Sequence, residues 1–197
     1  MRKLAILLGG ALALAASSST PRPAAPVDLS NPLMAPGYLA TAASSDLFEI
    51  QSGQLAQQAS QNPTVQSFGG MLVSDHTQST QMLMAAAQSA GITPPPPTLL
   101  PQHQAMLDQL RAAGSGPAFD MAFQQIQIQA HQQALALHQN YATGGDAPAL
   151  RTTAGQIVPV VQRHLNMLQS LQVSAPPPPP MAPPPPPPPP GRSGERG

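Results

Sequence analysis

The chain predicts an all-α protein, an up-down four-helix bundle with one short extra helix in the connection between its second and third long helices. Three observations carry this. Apolar residues recur at helical spacing over four long segments. Glycine and proline stand at the ends of those segments. No run alternates with period two, so no sheet is expected.

The first long helix is expected from about Gly37 to Ser60. In "QNPTVQSF", Asn62 suits the cap and Pro63 the first position of the second helix, which stops at Gly91. Its stripe is Val65, Phe68, Leu72, His76, Leu83 and Ala87. "ITPPPPTLLP" cannot be helical, because proline fixes φ and lacks a donor. A short helix follows at about Gln102–Ala113 and ends at "GSG". Pro117 opens the third long helix, which closes at "TGG", residues 143–145, with the stripe Phe119, Phe123, Ile126, Ala130, Leu137 and Tyr141. Asp146 is the expected cap of the fourth, which runs to about Val173 with a kink near residue 156 from Pro159. Its stripe is Leu150, Ala154, Ile157, Val161, His164, Leu168 and Leu171. The long proline connection allows a crossover between two hairpins, as in ferritin-like folds.

The ends read differently. "MRKLAILLGGALALA", residues 1–15, has a basic start, a short apolar run and a small-residue cleavage site, the pattern of a secretory signal peptide. It is too short to span a membrane, and no later stretch approaches the roughly 20 apolar residues a span needs. The expected location is therefore the periplasm. Residues 16–36 form a Pro/Ser-rich linker, 37–173 the bundle, and 174–197 a disordered proline-rich tail. Pro176 to Pro190 as polyproline II would reach about 45 Å at about 3.1 Å per residue. That reach would let the tail contact the cell wall or an envelope protein.

Charged residues are only 8% of the chain and net charge is zero, so no electrostatic footprint for nucleic acid is present. There is no cysteine, which excludes disulfides, thiolate metal sites, cysteine nucleophiles and a cysteine-anchored lipid. No nucleophile elbow and no glycine-rich phosphate loop occurs. No catalysis is expected.

Polar residues sit where the stripes should be apolar. His76 and His164 lie inside them, and His131 lies on the shoulder of one. Glu49 is the only glutamate between residues 37 and 173. Counted from the expected helix starts at about 1.5 Å per residue, Glu49, His76, His131 and His164 fall within about 6 Å of one height. One comes from each long helix, the layout by which bundles build metal sites. Asp75, about 100° round the helix from His76, lies at a seam where it can orient a neighbouring histidine. Two readings remain open: a buried polar cluster, or a mononuclear site for zinc, copper or iron. A ferritin-type di-iron site needs Glu-x-x-His on two helices, and this chain has none. His131 and His138 share a face but stand two turns apart, too far to chelate one ion. Met82 and Met84 point to separate faces, a poor copper pair. Asp120 in the first turn of the third long helix suits the helix dipole.

"SDLFEIQSGQLAQQASQNPTVQSFGGMLVSDHTQST", "FDMAFQQIQIQAHQQALALHQNYA" and "LRTTAGQIVPVVQRHLNMLQSL" together resemble a bacterial exported family of unknown function, often labelled predicted outer membrane protein. The most specific parts are Glu49, Asp75–His76, Phe119–Asp120, His131, Pro159 and His164. The resemblance implies a ferritin-like four-helix fold and an envelope location, and no established activity. The expected function is thus a non-catalytic structural or stress-related envelope protein. The alternatives are a protein binding one divalent transition metal through Glu49, His76, His131 and His164, and a Pro-tailed interaction module.

Overall fold

The computed structural model describes residues 29–174. The expected signal peptide, most of the expected linker and nearly all of the expected tail lie outside the described residues. Within them the chain is all-helical: α1 (Ala35–Ala59), α2 (Pro63–Ser89), α3 (Pro101–Ala112), α4 (Pro117–Gly144) and α5 (Pro148–Ser170).

Every helix carries proline in its first turn, where the missing N–H costs nothing. Pro36 lets α1 begin at Ala35, two residues before the expected Gly37. Asn62 caps α2 by accepting from the Thr64 N–H at 2.9 Å. Gly91, just beyond α2, takes a positive φ of 68°. Asp146 is not the cap of α5. Ala147 holds that place, and the Asp146 carboxylate instead accepts from the Tyr141 hydroxyl at 2.8 Å. Helix α5 runs on through Pro159, which lies on its exposed face.

Helices α1 and α2 pack as one hairpin and α4 and α5 as another. The pairs α2–α5 and α1–α4 join them, and α3 lies against α1 and α4. The Gly116 N–H donates to the Ala59 carbonyl at 2.9 Å and the Asp146 N–H to that of Leu33 at 3.1 Å, so α4 begins where α1 ends. Helices α2 and α4 therefore run the same way, and the segment containing α3 returns the chain between them. At the α1–α2 crossing two glycines meet. A Cβ on Gly53 would stand 2.5 Å from the Gly69 carbonyl oxygen, and one on Gly69 2.6 Å from that of Gly53.

The core has two apolar clusters. One gathers Phe48, Phe68, Leu72, Phe119, Phe123 and Leu168. The other gathers Tyr38, Leu83, Ala134, Tyr141, Leu150 and Ala154. Along α2, α4 and α5 a buried histidine falls between members of the two.

Candidate metal centre

Polar side chains from four helices share the level between those clusters. Helix α1 supplies Asp46, Glu49 and Ser52, three residues apart and so on one face. Helix α2 supplies Asp75 and His76, α4 Gln127 and His131, and α5 His164. All are buried except Asp75, which is half-buried. His131, expected on a shoulder, is fully buried.

The rings of His76, His131 and His164 form a near-equilateral triangle. Their centroids are 5.8 Å (76–131), 5.6 Å (76–164) and 5.5 Å (131–164) apart. One nitrogen from each lies within 4.8 Å of the other two. The outward nitrogen of each ring has an acceptor. His76 Nδ1 donates to Asp46 Oδ1 at 2.8 Å, and Thr80 donates to the other Asp46 oxygen at 3.0 Å. His131 Nδ1 donates to the Gln127 carbonyl at 2.9 Å. His164 Nε2 donates to Asp75 Oδ2 at 2.9 Å, and the same oxygen accepts from Arg163 at 2.8 Å.

For the neutral rings, the form that binds a cation, these partners select the tautomers. A neutral imidazole carries one N–H, and each is used on an outward acceptor. His76 Nε2, His131 Nε2 and His164 Nδ1 are left as lone pairs facing inward. The last two stand 3.4 Å apart. With both protons spent elsewhere, that contact joins two lone pairs. His76 Nε2 is buried with no hydrogen-bond partner among the described residues. Two nitrogens held tetrahedrally at about 2.0–2.1 Å from one zinc ion are about 3.4 Å apart. The His131–His164 edge has that length, and the His76 nitrogen lies within 4.8 Å of both. Metal-bound histidines characteristically donate their other N–H to a carboxylate or backbone carbonyl, as all three do here.

Burial, reinforced by the neighbouring histidines, holds His131 well below the ordinary imidazole range. Burial also lowers His164 to about 4, against the pull of Asp75. Burial works against a charged His76 too, but the hydrogen bond and charge of Asp46, with Glu49 and Asp75, outweigh it and raise its pKa. Glu49 is pushed up to about 7 by burial, opposed by His76.

Glu49 does not join the triangle's inner face. Its Oε1 lies 3.5 Å from His131 Nδ1, the nitrogen already bonded to Gln127, and neither of its oxygens has a partner at ordinary hydrogen-bond geometry among the described residues. Asp75 orients His164. Asp46 and Gln127 escaped sequence reasoning. The signal for Asp46 was its place three residues before Glu49, on the same helical face. Asp120 stands in the first turn of α4 as expected, and it is buried there with no partner for Oδ1 among the described residues. His103 and His138 belong elsewhere: His103 Nδ1 meets Ser44 at 2.6 Å and His138 Nδ1 meets Tyr38 at 2.9 Å. A cleft of about 240 Å³ between α2 and α5 reaches the site at Asp75 and His76, walled by Met82, Ile157, Val161 and Arg163.

Over residues 18–171 the sequence matches a family described as Domain of unknown function (DUF4142). The chain belongs to this family. That description carries neither a ferritin-like nor an outer-membrane assignment. No curated protein and no solved structure matches the chain. No helix among the described residues of this DUF4142 domain is long and apolar enough to cross a membrane.

Proposed function

We propose that this DUF4142 domain is an exported, ferritin-like four-helix bundle that binds one borderline divalent cation, such as Zn²⁺ or Cu²⁺, on His76, His131 and His164. Imidazole donors suit these ions. The observation that carries the reading is the inward set of ring nitrogens, two of them 3.4 Å apart with their rings' protons placed outward and the third buried without a partner among the described residues. A cation at the centre would turn an unfavourable contact into three bonds. Asp46, the Gln127 carbonyl and Asp75 would hold the rings in position. Glu49 would supply negative charge beside His131 or, after a side-chain rotation, a fourth donor. The cleft at His76 would let ions exchange. The role is binding rather than catalysis, since the chain lacks the paired Glu-x-x-His of di-iron chemistry.

Calorimetric titration of metal-free protein with Zn²⁺ tests this. One equivalent should bind, His131→Ala should abolish binding, and Asp75→Asn should weaken it by about 10–100-fold, the usual effect of losing such a supporting partner. Absence of binding in the wild type, or undiminished stoichiometry in His131→Ala, would leave a buried polar cluster as the reading.

A further inference from the structure

The chain has two tyrosines, no tryptophan and no cysteine. Those two, Tyr38 and Tyr141, stack on each other in the core. Their centroids are 3.8 Å apart and their planes 12° apart, and both residues are wholly buried. The Tyr38 hydroxyl lies 2.9 Å from His138 Nδ1, to which it donates when the ring proton is on Nε2, and that histidine is itself only 2% exposed. The Tyr141 hydroxyl donates to Asp146. A buried phenol needs an acceptor, and a backbone carbonyl would be enough. An imidazole does more, because it can keep the proton.

We propose that Tyr38 is a proton-coupled one-electron redox site, with His138 as its proton acceptor and Tyr141 as a stacked ring that stabilises the oxidised state. A one-electron oxidant takes one electron from the Tyr38 ring and is itself reduced by one. The phenolic O–H bond breaks, and the proton passes 2.9 Å to His138 Nδ1, where an N–H bond forms. The products are a neutral phenoxyl radical and an imidazolium. A one-electron reductant reverses both transfers. Burial opposes a charged His138, and the negative charge of Asp46, the partner of His76, partly offsets that cost to the imidazolium that forms. His138 follows His131 by seven residues, about 10.5 Å of helical rise, which places the pair within electron-transfer reach of the triangle. With tryptophan and cysteine absent, the stacked tyrosines are the most easily oxidised aromatic groups in the chain. The proposal does not need a metal in the bundle.

The test uses the full chain, metal-free, with photo-excited ruthenium tris-bipyridine and persulfate as oxidant. Radical formation is followed by transient absorption and electron paramagnetic resonance. Wild type and Tyr141→Phe should both give a tyrosyl signal, and Tyr38→Phe should lose most of it. His138→Gln keeps a hydrogen-bonding side chain but not a base. It should slow formation by about a hundredfold, the low end of what a positioned base contributes. Circular dichroism checks that each variant is helical. Should His138→Gln fail to fold, the wild-type rate in deuterium oxide decides: it should fall, and an unchanged rate overturns the proposal. So does a Tyr38→Phe signal equal to wild type in yield and rate.

Discussion

The two apolar clusters on either side of the histidine layer are built from different residues. One holds all four phenylalanines with Val65, Leu72, Leu107 and Leu168. The other holds both tyrosines among small residues, including Ala42, Ala86, Ala87, Ala134 and Ala154. The first is filled by large rings that carry no polar atom. The second lets helices come close, and its bulk comes from two phenols whose hydroxyls require partners. It therefore imports His138 and Asp146, whereas the phenylalanine end needs neither. The lesson is that a short helical core can be closed at one end by size and at the other by proximity, with the polar layer between them.

The largest expected effect sharpens this contrast. Phe123→Ala should cost about 3–5 kcal/mol, because a large buried ring leaves a cavity. At the tyrosine end the sensitivity is to added volume: Ala154→Leu should cost about 1–3 kcal/mol by overpacking. Urea denaturation measures both. If Ala154→Leu were neutral, the tyrosine end would be loosely packed and the contrast would fail.

Acid should act on the tyrosine end next. Burial depresses His138 from 6.5 to about 4. Between those values the unfolded chain binds a proton that the folded chain refuses. The associated stability is present above about pH 6.5 and lost as pH falls to 4, on the order of 3 kcal/mol. His164 in the central layer acts in the same sense. Glu49 is opposite. Its pKa is raised from 4.5 to about 7, so its contribution is full below 4.5 and lost as pH rises through 7. Denaturation from pH 4 to 8 should show a smaller acid loss in His138→Gln and a smaller loss on the alkaline side in Glu49→Gln.

Gly53→Ala presses a methyl group onto the Gly69 carbonyl at the α1–α2 crossing, a backbone contact that cannot rotate away. About 1–3 kcal/mol is expected, read as a lower thermal midpoint. The smallest effect belongs to the helix end: Asn62→Ala should remove about 1 kcal/mol by uncapping α2.

Much of the helical layout was legible because proline and glycine announce it. Pro63, Pro117 and Asn62 each stand at the helix start that the sequence assigns them. Asp146 misled because a cap residue and a side-chain acceptor look alike in sequence, and Tyr141 claims its carboxylate. His76 and His164 were visible as interruptions of apolar stripes, and His131 as a polar residue on the shoulder of one. Their outward partners were harder to see. The buried face of α1 includes Ser44, Ser45, Asp46, Glu49 and Ser52. Small polar residues on a buried face erase the apolar period that would have flagged it, so Asp46 was hidden although Glu49 was not. Nor can sequence show that His138 meets Tyr38, since one hundred positions separate them and only the fold brings them together.

The central claim concerns the three inward lone pairs, and anomalous diffraction tests it most directly. Crystals grown with Zn²⁺ and measured at the zinc edge should show one strong peak bonded to His76 Nε2, His131 Nε2 and His164 Nδ1, with distances near the usual value of about 2.0–2.1 Å. The outward nitrogens should keep Asp46, the Gln127 carbonyl and Asp75. A triangle that stays empty at saturating zinc, or a peak only at His103, His138 or surface carboxylates, would contradict the account.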